Sequence, residues 1–115
     1  MRAIIYTRSR SETSADRQLE ECRELAAERG WEVVGEFADG DASAFTLDRP
    51  GMQQGMQLVR TGGCDVLVAA SADRLTRNAS DLASIFADAD AAGVAVALAD
   101  GTEMSSRMVA ILGRW

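Results

Sequence analysis

No histidine and no lysine occur among the 115 residues, and the only two cysteines, Cys22 and Cys64, stand far apart. Without histidine no imidazole can serve as a general base, and without a CxxC pair no zinc site can be assembled. No apolar run approaches the ~20 residues that a membrane helix needs, and the one that follows Met1 is too short for a signal peptide. The expectation is a soluble, cytoplasmic protein without membrane contact. A Gly-rich turn after the first strand, of the kind that cradles a nucleotide phosphate, is also missing. Positive charge is scarce: 12 basic residues face 18 acidic ones, for a net charge of −6. The chain is therefore not expected to hold a polyanion by non-specific attraction, and a nucleic-acid role would need a partner or a further module. All the basic residues are arginine, which the base composition of the gene explains as readily as a site does.

What is present suits one globular domain, since 47% of the residues are hydrophobic and 26% charged in a chain too short for two cores. Ala3 to Tyr6 reads as a short strand. Ser14 to Arg29 places Leu19, Cys22, Leu25 and Ala26 on one helical face before Gly30 stops it. Trp31 to Phe37 reads as a second strand that enters a polar loop from Asp39 through Ser43 to Asp48. Pro50 opens a helix carrying Met52, Met56 and Val59, closed by Gly62 and Gly63. Val66 to Ala70 is a continuous apolar strand, the region from Ser80 carries Leu82, Ile85, Phe86 and Ala89 on a helix that ends at Gly93, and Val94 to Leu98 is a fourth strand. A further helix is expected from Met104 to Leu112. Strict alternation of strand and helix predicts an α/β fold: three layers around a mainly parallel sheet of four to five strands, with helices on both faces.

In such sheets ligands bind beyond the carboxyl ends of the strands. Arg8, Ser9, Arg10 and Ser11 follow the first strand; Asp39, Ser43 and then Arg49 follow the second; Asp73, Arg74 and Arg77 follow the third. Guanidinium forks match phosphate oxygens and neutralise the charge that grows during phosphoryl transfer, and a serine among them is a candidate nucleophile. A plainer reading has polar residues following strands as they do in every α/β protein, with Asp73 or Asn78 capping a helix and the arginines solvated.

Six blocks of the chain carry a family resemblance: Tyr6-Thr7-Arg8-Ser9-Arg10, Arg17-Gln18-Leu19-Glu20, Gly30-Trp31-Glu32-Val33-Val34, Asp39 to Ser43, Asp48-Arg49-Pro50-Gly51 and Asp73-Arg74-Leu75-Thr76-Arg77. In their order and approximate spacing they resemble the catalytic domain of serine site-specific recombinases, the group of resolvases, DNA invertases and phage-type serine integrases. The resemblance implies a resolvase-like fold and DNA strand exchange through a 5′-phosphoserine intermediate, with no metal or nucleotide cofactor. It implies Arg8, Arg49, Arg74 and Arg77 as the phosphate clamp, Asp39, Ser43 and Asp73 as polar supports, Arg10 near DNA, and Gln18 near DNA or as a further active-site or structural contact. It also implies partners: DNA, reached through a separate DNA-binding region, and further copies of the chain in a homodimer that pairs into a tetramer.

The nucleophile departs from the family's pattern, in which an aliphatic residue separates the arginine from the serine. Here Arg8 is followed directly by Ser9, and alignment on Arg17-Gln18 places Ser9 in the nucleophile's slot, with Ser11 the second candidate. Side chains alternate along a strand, so Ser9 can share a site with Arg8 only if the strand ends there and the chain turns. Residues 1–115 are expected to form a single catalytic domain whose long helix, beginning near Met104, is cut short and whose DNA-binding region is absent. Two other functions stay open: a catalytically inactive dimerisation relative of a recombinase, and a flavodoxin-like phosphate-binding domain. Met52, Met56, Met104, Met108, Trp31, Cys22 and Cys64 have structural explanations as core or interface residues.

Overall fold

A computed structural model describes residues 1–40 and 49–102. Arg2–Arg8 forms strand β1, whose side chains from Ala3 to Arg8 are all buried, the signature of a strand covered on both faces. Helix α1 (Glu12–Arg29), strand β2 (Glu32–Asp39), helix α2 (Pro50–Arg60), strand β3 (Val66–Ala69), the short helix α3 (Ala72–Leu75), helix α4 (Ala79–Ala92) and strand β4 (Ala95–Leu98) follow. All strand pairings are parallel, and the sheet order is β2-β1-β3-β4.

Alternation along β1 divides the core in two. Ala3 and Ile5 join Val66, Val68 and Ala70 under α1, which contributes Cys22 with Leu19 and Leu25 alongside. Ile4 and Tyr6 face the other way, toward Met52, Met56 and Val59 of α2 and Ile85 and Ala89 of α4. Trp31 packs at the edge of the first cluster, and both cysteines are buried and unpaired. The expected α/β sandwich, with helices on both faces of a parallel sheet, is thus observed, with four strands among the described residues.

Helix boundaries follow local chemistry. Ser11 caps α1 by accepting from the Ser14 N–H at 3.3 Å, so the helix starts at Glu12 rather than at Ser14. It ends at Gly30 with φ 72°, a left-handed cap that suits glycine. Asn78 caps α4 by accepting from the Ser80 and Asp81 N–H groups. Helix α3 has no counterpart in the sequence reading, because four residues are too few to show a period. Strand β1 runs two residues past Tyr6, as Thr7 and Arg8 are buried despite their polarity. Ser43, Asp48 and the helix expected from Met104 lie outside the described residues.

Candidate active site

The site grows from the residue that ends β1. Arg8 stands in register with Asp39 at the end of β2, and the Ser9 N–H donates to the Asp39 carbonyl at 3.2 Å. On the other side β3 pairs with β1 only from Ala3 to Ile5, which leaves the main chain of Arg8 without a strand partner there. Gln18 of α1 takes that place. Its Nε2 donates to the Arg8 carbonyl at 3.1 Å and its Oε1 accepts from the Arg8 N–H at 3.2 Å, as a peptide group would. Gln18 is buried, and both polar atoms of its amide serve the backbone, a structural contact of the kind the sequence left open for it.

Strand β1 does end at Arg8, and the chain turns. The Ser11 N–H folds back onto Ser9 Oγ at 3.1 Å, while the Ser11 hydroxyl oxygen is occupied as the cap of α1. Ser9 is half-buried; Arg10 and Ser11 are exposed.

Arg8 is 8% exposed, and its Nη2 donates to the main-chain carbonyl of Asp73 at 2.7 Å. Arg74 returns the contact, its Nη1 donating to the Arg8 carbonyl at 3.4 Å. Arg8 Nε is buried and has no hydrogen-bond partner among the described residues. Burial holds the Arg8 guanidinium below its ordinary pKa, and repulsion from Arg49, Arg74 and Arg77 adds to the shift, against an opposing contribution from Tyr6. Like charges crowd around Arg8, an arrangement suited to receive an oxyanion. Asp73 accepts from the Ser71 hydroxyl at 2.6 Å, and that bond is the main reason its carboxyl lies below the usual range; Arg74 and Arg77 add to the effect. Arg77 is exposed and lines a cleft of about 370 Å³ together with Asp73, Thr76, Asn78 and Leu82.

Beneath this surface lies a buried polar network. The Asp39 carboxylate accepts from Tyr6 Oη at 2.8 Å and from the Gly51 and Met52 N–H groups, both at 2.9 Å, at the start of α2. A negative charge there complements the helix dipole. Arg49 is 1% exposed; it donates from Nη1 to Tyr6 Oη at 2.7 Å and from Nη2 to the Leu75 carbonyl. Its guanidinium carbon sits 5.6 Å from the centroid of the Tyr6 ring.

The residues expected at the strand tips thus meet at one end of the sheet, between β1, β2 and the segment after β3. Ser43 lies outside the described residues. Two members of the site were not anticipated by role: Tyr6, which the two-residue period of β1 puts on the same face as Arg8, and Ser71, which follows β3 closely. Among the described residues no group of acidic or sulfur side chains has the arrangement of a metal site, and no helix is long and apolar enough to cross a membrane.

The family described as "Resolvase, N terminal domain" matches residues 3–114. The chain belongs to the resolvase family. Its structure is similar to the C-terminal catalytic domain of ISC1926 TnpA, an IS607-like serine recombinase, with 26% identity and a TM-score of 0.81 over 99% of this chain and 78% of that one. It is also similar to the N-terminal catalytic domain of TP901-1 integrase, with 25% identity and a TM-score of 0.83 over 99% of this chain and 92% of that one. A resolvase family site-specific recombinase from Streptococcus pneumoniae shares the fold, with a TM-score of 0.79 at 21% identity over 99% and 84% of the two chains. The resolvase domain described here therefore has the serine recombinase catalytic-domain fold, in agreement with its six sequence blocks.

Proposed function

We propose that this resolvase-family domain breaks and rejoins DNA, with Ser9 as the nucleophile. The Ser9 Oγ–phosphorus bond forms as the bond from phosphorus to the DNA 3′ oxygen breaks. The serine proton passes to water, and the freed 3′ oxygen takes up a proton. Rejoining reverses both steps. Arg8, Arg74 and Arg77 hold the scissile phosphate and neutralise the charge that builds on its oxygens. The domain acts on DNA brought to it by a separate DNA-binding region, with copies working as dimers that pair into a tetramer.

The observation that carries this reading is the buried Arg8 Nε, unpartnered among the described residues, in a cluster of like charges one residue from Ser9. The Ser11 N–H directed at Ser9 Oγ favours the deprotonated form of that oxygen. Neither carboxylate is well placed as the base: Asp39 already accepts from three donors, and Asp73 is held low by Ser71. Water is left as the proton acceptor.

The test is a fusion of the whole chain to a sequence-specific DNA-binding domain, assayed for covalent protein–DNA adducts on paired sites. Adducts that persist in Ser11→Ala and vanish in Ser9→Ala support the assignment. The reverse result moves the nucleophile to Ser11. No adduct from any version, with DNA bound, overturns the proposal in favour of a non-catalytic module.

A further inference from the structure

Arg49 is expected among the phosphate ligands, yet it is the largest fully buried side chain among the described residues, at 1% exposure. Its two terminal nitrogens point at protein. Nη1 donates to Tyr6 Oη at 2.7 Å, and Nη2 donates to the carbonyl of Leu75, the last residue of α3. Tyr6 is in turn fixed by its own donation to Asp39, whose carboxylate is anchored on the first turn of α2. A chain of charge-assisted bonds therefore runs from α2 through Asp39, Tyr6 and Arg49 to the far end of α3.

The near end of α3 is held separately, by Arg8 donating to the Asp73 carbonyl. Four residues of helix have little stability of their own, since a single turn fixes many dihedrals for one hydrogen bond. The direction of Arg74 and the start of the segment bearing Arg77 depend on these two straps. At 1% exposure the guanidinium offers no surface to a phosphate, and moving it outward would take it from the Leu75 carbonyl and the Tyr6 hydroxyl, leaving those buried oxygens short of a donor.

Building on the strand-exchange reading above, we infer that Arg49 and Tyr6 form a positioning pair that fixes α3, and with it Arg74 and Arg77, and that Arg49 makes no contact with the DNA phosphate. Tyr6 sets one end of the strap and Arg49 spans it. Lysine, with a single nitrogen, does not bridge both acceptors in this way.

The test uses the same fusion and three variants: Arg49→Gln, Tyr6→Phe and the double. DNA affinity is measured across salt concentrations and adduct formation at saturating DNA, at a temperature where circular dichroism shows each variant folded. A positioning pair predicts an adduct rate lowered about 10²-fold in Arg49→Gln, on the order of removing one preorganised donor. It predicts a clear loss in Tyr6→Phe and a double variant no worse than Arg49→Gln alone, because both changes cut one strap. The salt dependence of affinity stays that of the unmodified fusion, whereas Arg74→Gln lowers its slope by about 1 as a phosphate contact is lost. A slope lowered equally by Arg49→Gln, or an unaltered adduct rate in Tyr6→Phe, overturns the inference. If Arg49→Gln does not fold, Tyr6→Phe alone decides. If the unmodified fusion forms no adduct, the strand-exchange reading fails by itself. The positioning claim then rests on backbone amide resonances in the free chain, where Tyr6→Phe displaces Arg74 to Arg77 if the strap is real and leaves them in place if it is not.

Discussion

Arg8 Nη2 donates to the main-chain carbonyl of Asp73 at 2.7 Å, joining the end of the central strand to a residue 65 positions later. The bond uses a main-chain acceptor, so it constrains the path of α3 without depending on which side chain stands at position 73. It consumes one nitrogen of the guanidinium while Nε stays buried and, among the described residues, unpartnered. One residue thus shapes the site while keeping a donor that no described residue accepts from, and the groups around it show how the rest is divided.

Gln18 holds Arg8 in place through both main-chain groups. Gln18→Ala leaves a buried N–H and a buried carbonyl without this partner, at a cost of about 1–3 kcal/mol. Urea denaturation is expected to show that loss. DNA affinity of the fusion is expected to keep its salt slope, since Gln18 carries no charge and is buried against the Arg8 main chain. A lowered slope would return Gln18 to the DNA surface.

Ser11 is a helix cap in this structure. Ser11→Ala is expected to lower stability by about 1 kcal/mol, the usual cost of removing such a cap. Thermal unfolding checks this. Ser11→Gly, which suits a cap position better than alanine, is expected to recover most of the loss.

Much of this was legible in the sequence. The α/β alternation follows from apolar runs broken by Gly30, Gly62 and Gly93, and the convergence of Arg8, Asp39, Arg49 and Asp73 follows from the rule that strand tips form the crevice. The less visible parts concern what each polar residue touches. Gln18 and Arg49 belong to sequence blocks of catalytic character, yet the structure commits Gln18 to the Arg8 main chain and Arg49 to the Tyr6 hydroxyl and the Leu75 carbonyl, because β1 outruns its pairing with β3 and α3 is too short to hold itself. No periodicity reports an unpaired main-chain group. Tyr6 reads as one more apolar residue of a buried strand until its hydroxyl is seen between Arg49 and Asp39.

Gly51 sits where α2 meets the tip of β2. A β-carbon there would lie 2.7 Å from the Ala38 carbonyl oxygen and 3.0 Å from Asp39 Oδ2, and the first of these is backbone that cannot swing away. Gly51→Ala is expected to destabilise the domain by about 1–3 kcal/mol, the range for overpacking a well-filled site. It is also expected to shift the Tyr6 and Arg49 side-chain resonances, because Asp39 is the anchor of that network. Gly30→Ala makes a useful contrast: nothing lies within 4 Å of its added carbon, so its cost comes from φ 72° alone and those resonances stay in place.

Cys22 is buried against the sheet, and burial pushes its thiol up to about 12 from an ordinary value of 9.0, with a smaller push from Glu21. A raised folded-state value means that the unfolded chain gives up its proton first. The stabilisation is fully present below pH 9 and is lost progressively as pH rises from about 9 toward 12. Tyr6, whose hydroxyl is also raised by burial and by Asp39, adds a loss of the same sign that begins near its ordinary value of 10.0. Urea midpoints measured at pH 8 and at pH 10.5 are therefore expected to fall more steeply in the native chain than in Cys22→Ala. The alanine variant carries a constant packing deficit, and only the difference in slope reports the thiol. Equal slopes in the two proteins would show that Cys22 ionises as readily folded as unfolded, against the burial of its thiol between α1 and the sheet.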